Sequence, residues 1–272
     1  MSEAIRLPDR GVIEVTGEDA EKFLHNMFTN SIAGLAPGEA RFAALLAPQG
    51  KILFDFLVFT PGEGRFLIDI HRELVADFLR RLGMYKLRAR VEIADRSGEI
   101  EALACLDGAP EGALAAAPDP RSESLGWRAL APAGAVAATG DVAAYEAARI
   151  AAGVPAGGLD FRYGDAFPHE ANMDRLRGVD FKKGCYIGQE VVSRMQHRSL
   201  TKKRVTPFIA RGETPPAGTP VMGGDKEIGV LGGHAGSAGL ALVRLDRLAE
   251  AKEAGLEPMA AGVTVEFPGV EG

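Results

Sequence analysis

The sequence predicts an α+β fold: a mixed sheet-and-helix body over residues 1–203 and a small all-β barrel over residues 204–272. Three observations point there. Apolar residues recur at helical spacing near residues 18–29, 71–82 and 141–152. Over the first 93 residues the order is strand–helix–strand–strand–strand–helix–strand, which mixes hairpins with crossovers instead of alternating strand and helix. After about Arg204, short apolar segments alternate with turns rich in Gly and Pro, such as TPPAGTP and VMGGDKEIG. The body reads as ferredoxin-like and is open to division into two intertwined subdomains.

Gly11 to Val15 is the first expected strand. A helix follows from about Glu18 to Thr29, with Ala20, Phe23, Leu24 and Met27 on one face and acidic residues at its start. Arg41 to Leu46 and Ile52 to Phe59 are strands joined by the turn residues Pro48-Gln49-Gly50. Arg65 to Ile70 is a third strand, His71 to Leu82 an amphipathic helix, and Leu87 to Ile93 a further strand. Residues 107–124 are rich in Ala, Pro, Gly and Ser and read as a surface loop or insertion. A helix from Asp141 to about Ala152 stops at Gly153 and Pro155. His25 and His71 lie on or beside helices with no ligand partner in sequence, and neither is assigned a role.

Lys plus Arg number 31 and Asp plus Glu 37, a net charge of −6, so general nucleic-acid binding is not favoured. No apolar run reaches the length of a membrane span. The N-terminus has neither a secretory nor a transit pattern, and the expected location is the cytoplasm. The two cysteines, Cys105 and Cys185, show no metal-ligand spacing. Cys105 lies in the apolar run ALACL and is expected to be buried and inert.

Cys185 lies in the stretch from Phe181 to Arg204, where Lys182, Lys183, Arg194, Arg198, Lys202, Lys203 and Arg204 face only Asp180 and Glu190. Gly184 and Gly188 bracket Cys185 and Tyr186, and Gln189 opens a run with helical spacing. That pattern predicts a tight turn before a helix N-terminus, where dipole and lysines favour a thiolate.

Lys183-Gly-Cys185-Tyr186-Ile-Gly188-Gln189-Glu190 resembles the signature of the YgfZ family, folate-binding relatives of the glycine-cleavage T-protein. The likeness extends to the opening strand and helix with Thr29 and Asn30, to the hairpin Pro48-Gln-Gly-Lys-Ile52 with Asp55, to Pro168-His-Glu170, and to the closing barrel. It implies a T-protein-like core that binds tetrahydrofolate or a derivative. It also implies an accessory role in assembling, maintaining or repairing iron–sulfur proteins, including radical enzymes that modify tRNA. Two departures separate the chain from aminomethyltransferases: Ala151 stands where they carry a carboxylate, and Phe54-Asp55 where they carry paired aspartates.

For the chemistry, a carboxylate suits the adjacent donors of a pterin, which makes Glu170 the first candidate. Asn30, Tyr186 and Gln189 join it as folate contacts, and Arg194 and Arg198, four apart, suit the anionic tail. Lys183 is expected to bind an anion or activate Cys185, and Asp55 is the candidate base. Three roles stay open for Cys185: transient ligation of iron or sulfur exchange, reaction with an electrophilic centre, or shaping a turn beneath the folate. A conventional cluster takes four thiolates, so one chain with two cysteines must share ligands with a partner or act without carrying a cluster. The alternative function is a folate-dependent aminomethyltransferase or demethylase. Expected partners are iron–sulfur assembly or client proteins and folate, with no membrane.

Overall fold

The computed structural model describes residues 3–198 and 201–269; residues 1–2, 199–200 and 270–272 lie outside it. The strands and helices of the N-terminal half are β1 (Ala4–Arg6), β2 (Arg10–Thr16), α1 (Ala20–Met27), β3 (Ala40–Leu46), β4 (Ile52–Gly62), β5 (Arg65–His71), α2 (Val75–Lys86) and β6 (Glu92–Asp95). There follow β7 (Ile100–Cys105), β8 (Ala115–Pro118), β9 (Trp127–Pro132), α3 (Val142–Ala151) and α4 (Gln189–Arg198). The C-terminal part holds β10 (Lys203–Ala210), β11 (Pro220–Gly223), β12 (Lys226–Ala235), β13 (Ala238–Arg244), α5 (Leu245–Glu253), β14 (Pro258–Ala260) and β15 (Val263–Glu266).

An antiparallel sheet of five strands runs in the order β3-β4-β5-β2-β6, and a second of four in the order β1-β7-β9-β8. The α+β class and the barrel both hold: β10-β13-β12-β11-β14-β15 close on themselves. Alternation along the strands decides which face each residue takes. On one face of the larger sheet, Phe54, Phe56 and Ile68 pack under α1 and α2, with Phe28 and Phe56 ring centroids 4.5 Å apart. On the other, Val12, Leu57 and Leu67 meet Ile100, Ala102 and Leu130 of the smaller sheet. Arg10, Asp55 and Asp69 stand two residues from Val12, Leu57 and Leu67 and share their face, so charged groups enter the layer between the sheets.

Three expectations need correction. Of the strand expected over Leu87–Ile93, only Glu92 and Ile93 lie in β6; Leu87 adopts φ 41° at the end of α2, and the Asp19 carboxylate accepts from the Arg90 amide. Part of the alanine-rich loop is β8, which pairs with β9 although alanine is a weak strand former; pairing overrides propensity. The smaller sheet, β1, β7, β8 and β9, is absent from the sequence reading, and the barrel carries the helix α5. Helix α3 starts as expected, its N-cap Asp141 accepting from the Ala143 amide. Among the described residues no helix is long and apolar enough to cross a membrane.

Candidate functional site

Cys185 is an exposed free thiol in the turn before α4, while Cys105 is fully buried and burial raises its thiol pKa. The turn lies flat on the tip of the β3–β4 hairpin. Gly188 has φ +80°, and a Cβ there would sit 2.7 Å from the Ala47 carbonyl oxygen and 3.0 Å from the Gly50 Cα. Gly50, also at φ +80°, would place a Cβ 2.9 Å from that of Val191. Glycine is required on both sides of this contact. Gly184, by contrast, faces open space.

Lys183 directs its hydrogen bonds to backbone carbonyls. Its Nζ donates to the carbonyls of His25, Phe28 (2.7 Å) and Asn30 (3.0 Å), at and just beyond the end of α1. Burial pushes its pKa down to about 8, against the opposing pull of Asp180. The Asp180 carboxylate accepts from the amides of Lys182 and Lys183. Tyr186 points inward and packs with Val192 in the layer between the sheets; burial pushes its phenol up to about 12, and its hydroxyl has no hydrogen-bond partner among the described residues. Gln189 is the half-buried first residue of α4, which buries Val192 and Met195. Arg194 and Arg198 lie on the exposed side of that helix, with no ion pair to a described residue.

Glu170 is engaged locally: its carboxylate accepts from the Phe167 amide at 2.8 Å and caps a turn. The Asn30 amide group donates to the carbonyls of Phe42 and Arg177 and lines an open groove with Phe42 and Val179. Neither residue borders the partly open cavity that Asp55 lines.

That cavity, about 50 Å³, lies where the two sheets meet the segment 155–163, and Cys185 is not on its wall. Cys185 and Asp55, both expected at the site, are therefore in two separate places. Asp55 is buried and accepts a hydrogen bond from the Tyr163 hydroxyl. Burial and the Asp55 carboxylate both raise the Tyr163 pKa, which keeps the phenol a donor. Gly157 makes room for that ring, since a Cβ there would fall 2.2 Å from the hydroxyl. Arg10 donates to Asp69 at 2.6 Å; burial opposes its charge, but Asp69 outweighs it and holds the guanidinium above its ordinary value. Arg121 grips Asp119 through two nitrogens at 2.9 and 2.7 Å, and Arg121 and Arg128 both donate to the Tyr145 hydroxyl. Arg128 is 2% exposed, and its Nη1 has no hydrogen-bond partner among the described residues.

Sequence reasoning found Asp55 and missed Arg10, Asp69, Arg121, Arg128, Tyr145 and Tyr163. A signal existed for Asp69: it breaks an otherwise apolar strand at an inward position. Arg128 gave none, because its strand was not recognised.

The donor set suits one edge of a pterin: Asp55 can accept from ring N–H groups, and Arg128 Nη1 can donate to a ring oxygen. The space is smaller than the ring. An apolar cavity of about 150 Å³ holds benzene, and about 50 Å³ holds a few waters. A bound folate would need these walls to move. Among the described residues no group of three or more His, Cys, Asp or Glu is placed to hold a metal ion.

Comparison with known proteins places these features in context. Residues 9–109 match the model of the GCVT N-terminal domain, and residues 202–269 that of the CAF17 C-terminal beta-barrel domain. The chain is 31% identical over 282 residues to the mitochondrial iron–sulfur cluster assembly factor IBA57 of Mus musculus and 30% identical over 280 residues to that of Homo sapiens. Each alignment covers 89% of this chain and 78% of the relative. A mitochondrial IBA57 homolog from Mycosarcoma maydis is 33% identical over 236 residues, 78% of this chain and 59% of its own length. The aminomethyltransferase T of the Bartonella henselae glycine cleavage system superposes with a TM-score of 0.77 over 98% of this chain and 84% of its own, at 17% identity, which establishes a shared fold. The expected cytoplasmic location is corrected by these relatives, which are mitochondrial proteins. The expectation rested on a missing transit pattern, and fold and composition do not distinguish the two compartments.

Proposed function

Because this chain belongs to the family of IBA57 iron–sulfur cluster assembly factors, we propose that it serves the assembly or repair of iron–sulfur proteins through Cys185. The thiolate would supply one ligand to a cluster whose remaining ligands come from a partner. The observation that carries this reading is the exposure of Cys185 on a turn held by two obligatory glycines, while Cys105 is sealed in the interior. A cluster normally takes four thiolates, so one accessible thiol calls for a partner. Radical enzymes that modify tRNA are the client class that the resemblance at Lys183–Glu190 implies.

The test is replacement, C185S, in cells lacking the endogenous protein, with cluster-dependent enzyme activity and cluster content as readouts. Loss of both at normal protein level supports the reading; full activity would leave Cys185 a turn residue only.

A second reading, tetrahydrofolate binding between the sheets, is favoured by the unpartnered Arg128 Nη1 beside Asp55. When bound, folate would supply a one-carbon carrier or a stabilising ligand. Asp55 and Arg128 would orient the ring edge, and Tyr163 would hold the Asp55 carboxylate in place. The aminomethyltransferase alternative needs the same cavity and a base; formation of methylene-folate from an aminomethyl donor would favour it.

A further inference from the structure

We infer that Lys183 is the positioning residue for Cys185: its ammonium ties the thiol-bearing turn to the end of α1. The consequence for cluster transfer rests on the shared-ligand reading above, but the geometry stands without it.

A helix leaves its last carbonyls without partners inside the helix. Helix α1 ends at Phe28 in an extended conformation, with φ −99° and ψ 156°, so its chain does not turn back to cap those carbonyls in the usual glycine manner. Instead the carbonyls of His25, Phe28 and Asn30 converge on Lys183 Nζ. An ammonium has three N–H groups in a tetrahedral set, so three converging acceptors satisfy it. The positive charge also suits the negative end of the helix.

The same two segments are joined at the next residues. The Asp180 amide donates to the Thr29 carbonyl at 3.0 Å, and the Thr29 hydroxyl donates to the Gly178 carbonyl at 2.7 Å. Asp180 then closes the turn by accepting from the amides of Lys182 and Lys183. The chain from Gly178 to Lys183 is thus fastened to residues 25–30, and Cys185 stands two residues beyond the last fastening. On its other side, Gly188 is fixed against the hairpin tip. The thiol is held between two anchors on different elements. A ligand that must meet a partner's cluster gains from such pre-organisation.

All three N–H groups of Lys183 point at carbonyls, which is the geometry of an anchor. The charged and titratable groups around it are Asp180, His25 on α1 and the Tyr186 ring, whose centroid is 5.5 Å from Nζ.

The experiment is hydrogen exchange on the full-length protein, read on peptides covering 26–32 and 178–188, together with the alkylation rate of Cys185 measured against Cys105. K183A is compared with K183M, which keeps most of the apolar stem. Both variants are expected to exchange about tenfold or more faster in these two segments alone, as local opening does. Adding ethylammonium chloride should restore protection in K183A. Tetramethylammonium chloride at equal ionic strength should not, since it has no N–H to donate. The inference is overturned if both variants exchange like the wild type, or if ethylammonium fails to restore K183A. It is also overturned if tetramethylammonium restores it equally, or if protection falls throughout the barrel and Cys105 becomes reactive as well. None of these readouts involves a cluster, so they can fail while the C185S result stands, and the reverse.

Discussion

Asp69 of β5 and Arg128 of β9 face each other across the layer between the two sheets, Oδ2 to Nε 3.3 Å, with side chains 0% and 2% exposed. Arg10 holds the other oxygen of Asp69, so one buried carboxylate serves two guanidinium groups. Removing one member of such a buried group leaves an uncompensated charge, which costs about 3–5 kcal/mol. D69A is expected to fall in that range, because it strands both Arg10 and Arg128. R128M should cost less, since Asp69 keeps Arg10. Urea unfolding checks both, and a D69A loss below about 1 kcal/mol would mean that water already reaches this layer.

The two glycines that bracket Cys185 are not equivalent. G188A would put a methyl group 2.7 Å from the Ala47 carbonyl at φ +80°, so it combines backbone strain with a backbone clash. The expected loss is about 2 kcal/mol or more. G184A meets nothing within 4 Å and has no positive φ, so its effect should stay within about 0.5 kcal/mol. Thermal denaturation of the two variants side by side is sufficient; equal losses would contradict the docked turn.

That contrast shows how far the sequence could be read. Glycine at 184 and 188 looks alike in one dimension, because what differs is the hairpin tip that folds onto the second. The elements with strong local signals were legible: α1 and α3 from apolar spacing and acidic starts, the β3–β4 hairpin from Pro-Gln-Gly, and the barrel from its punctuation. The smaller sheet was not, because β8 and β9 are alanine-rich and owe their extended shape to pairing with each other. Arg128 disappeared with them. Lys183 was legible as a residue of interest but not as a helix cap, since its acceptors lie more than 150 positions away.

Lys183 also predicts a pH dependence. Burial lowers its pKa to about 8 in the folded protein, against 10.5 for an unhindered lysine. Between these values the unfolded chain binds the proton more tightly than the folded one. Stability from this group therefore rises with pH from about 8 to 10.5. The difference between wild type and K183M, measured by urea midpoint at pH 7.5, 9 and 10, cancels the titration of other lysines and tyrosines. It should move in favour of the wild type as pH rises. A flat or opposite trend would mean that the three carbonyls hold the ammonium charged throughout.

The place of folate can be decided with the single tryptophan, Trp127, which immediately precedes Arg128 on β9. If tetrahydrofolate enters the layer between the sheets, Trp127 fluorescence should change on titration. D55N and R128M should each weaken binding about tenfold or more, the usual effect of leaving a buried polar partner unpaired. E170Q should change affinity by less than about twofold, because that carboxylate is occupied by the Phe167 amide. The reverse pattern would move the ligand to the turn at 167–170. Kinetics give an independent check. A cavity of about 50 Å³ has to open before a pterin enters, so the association rate should fall below about 10⁵ M⁻¹ s⁻¹. A fast association that D55N leaves untouched would show that any folate binding occurs at the surface, away from Asp55 and Arg128.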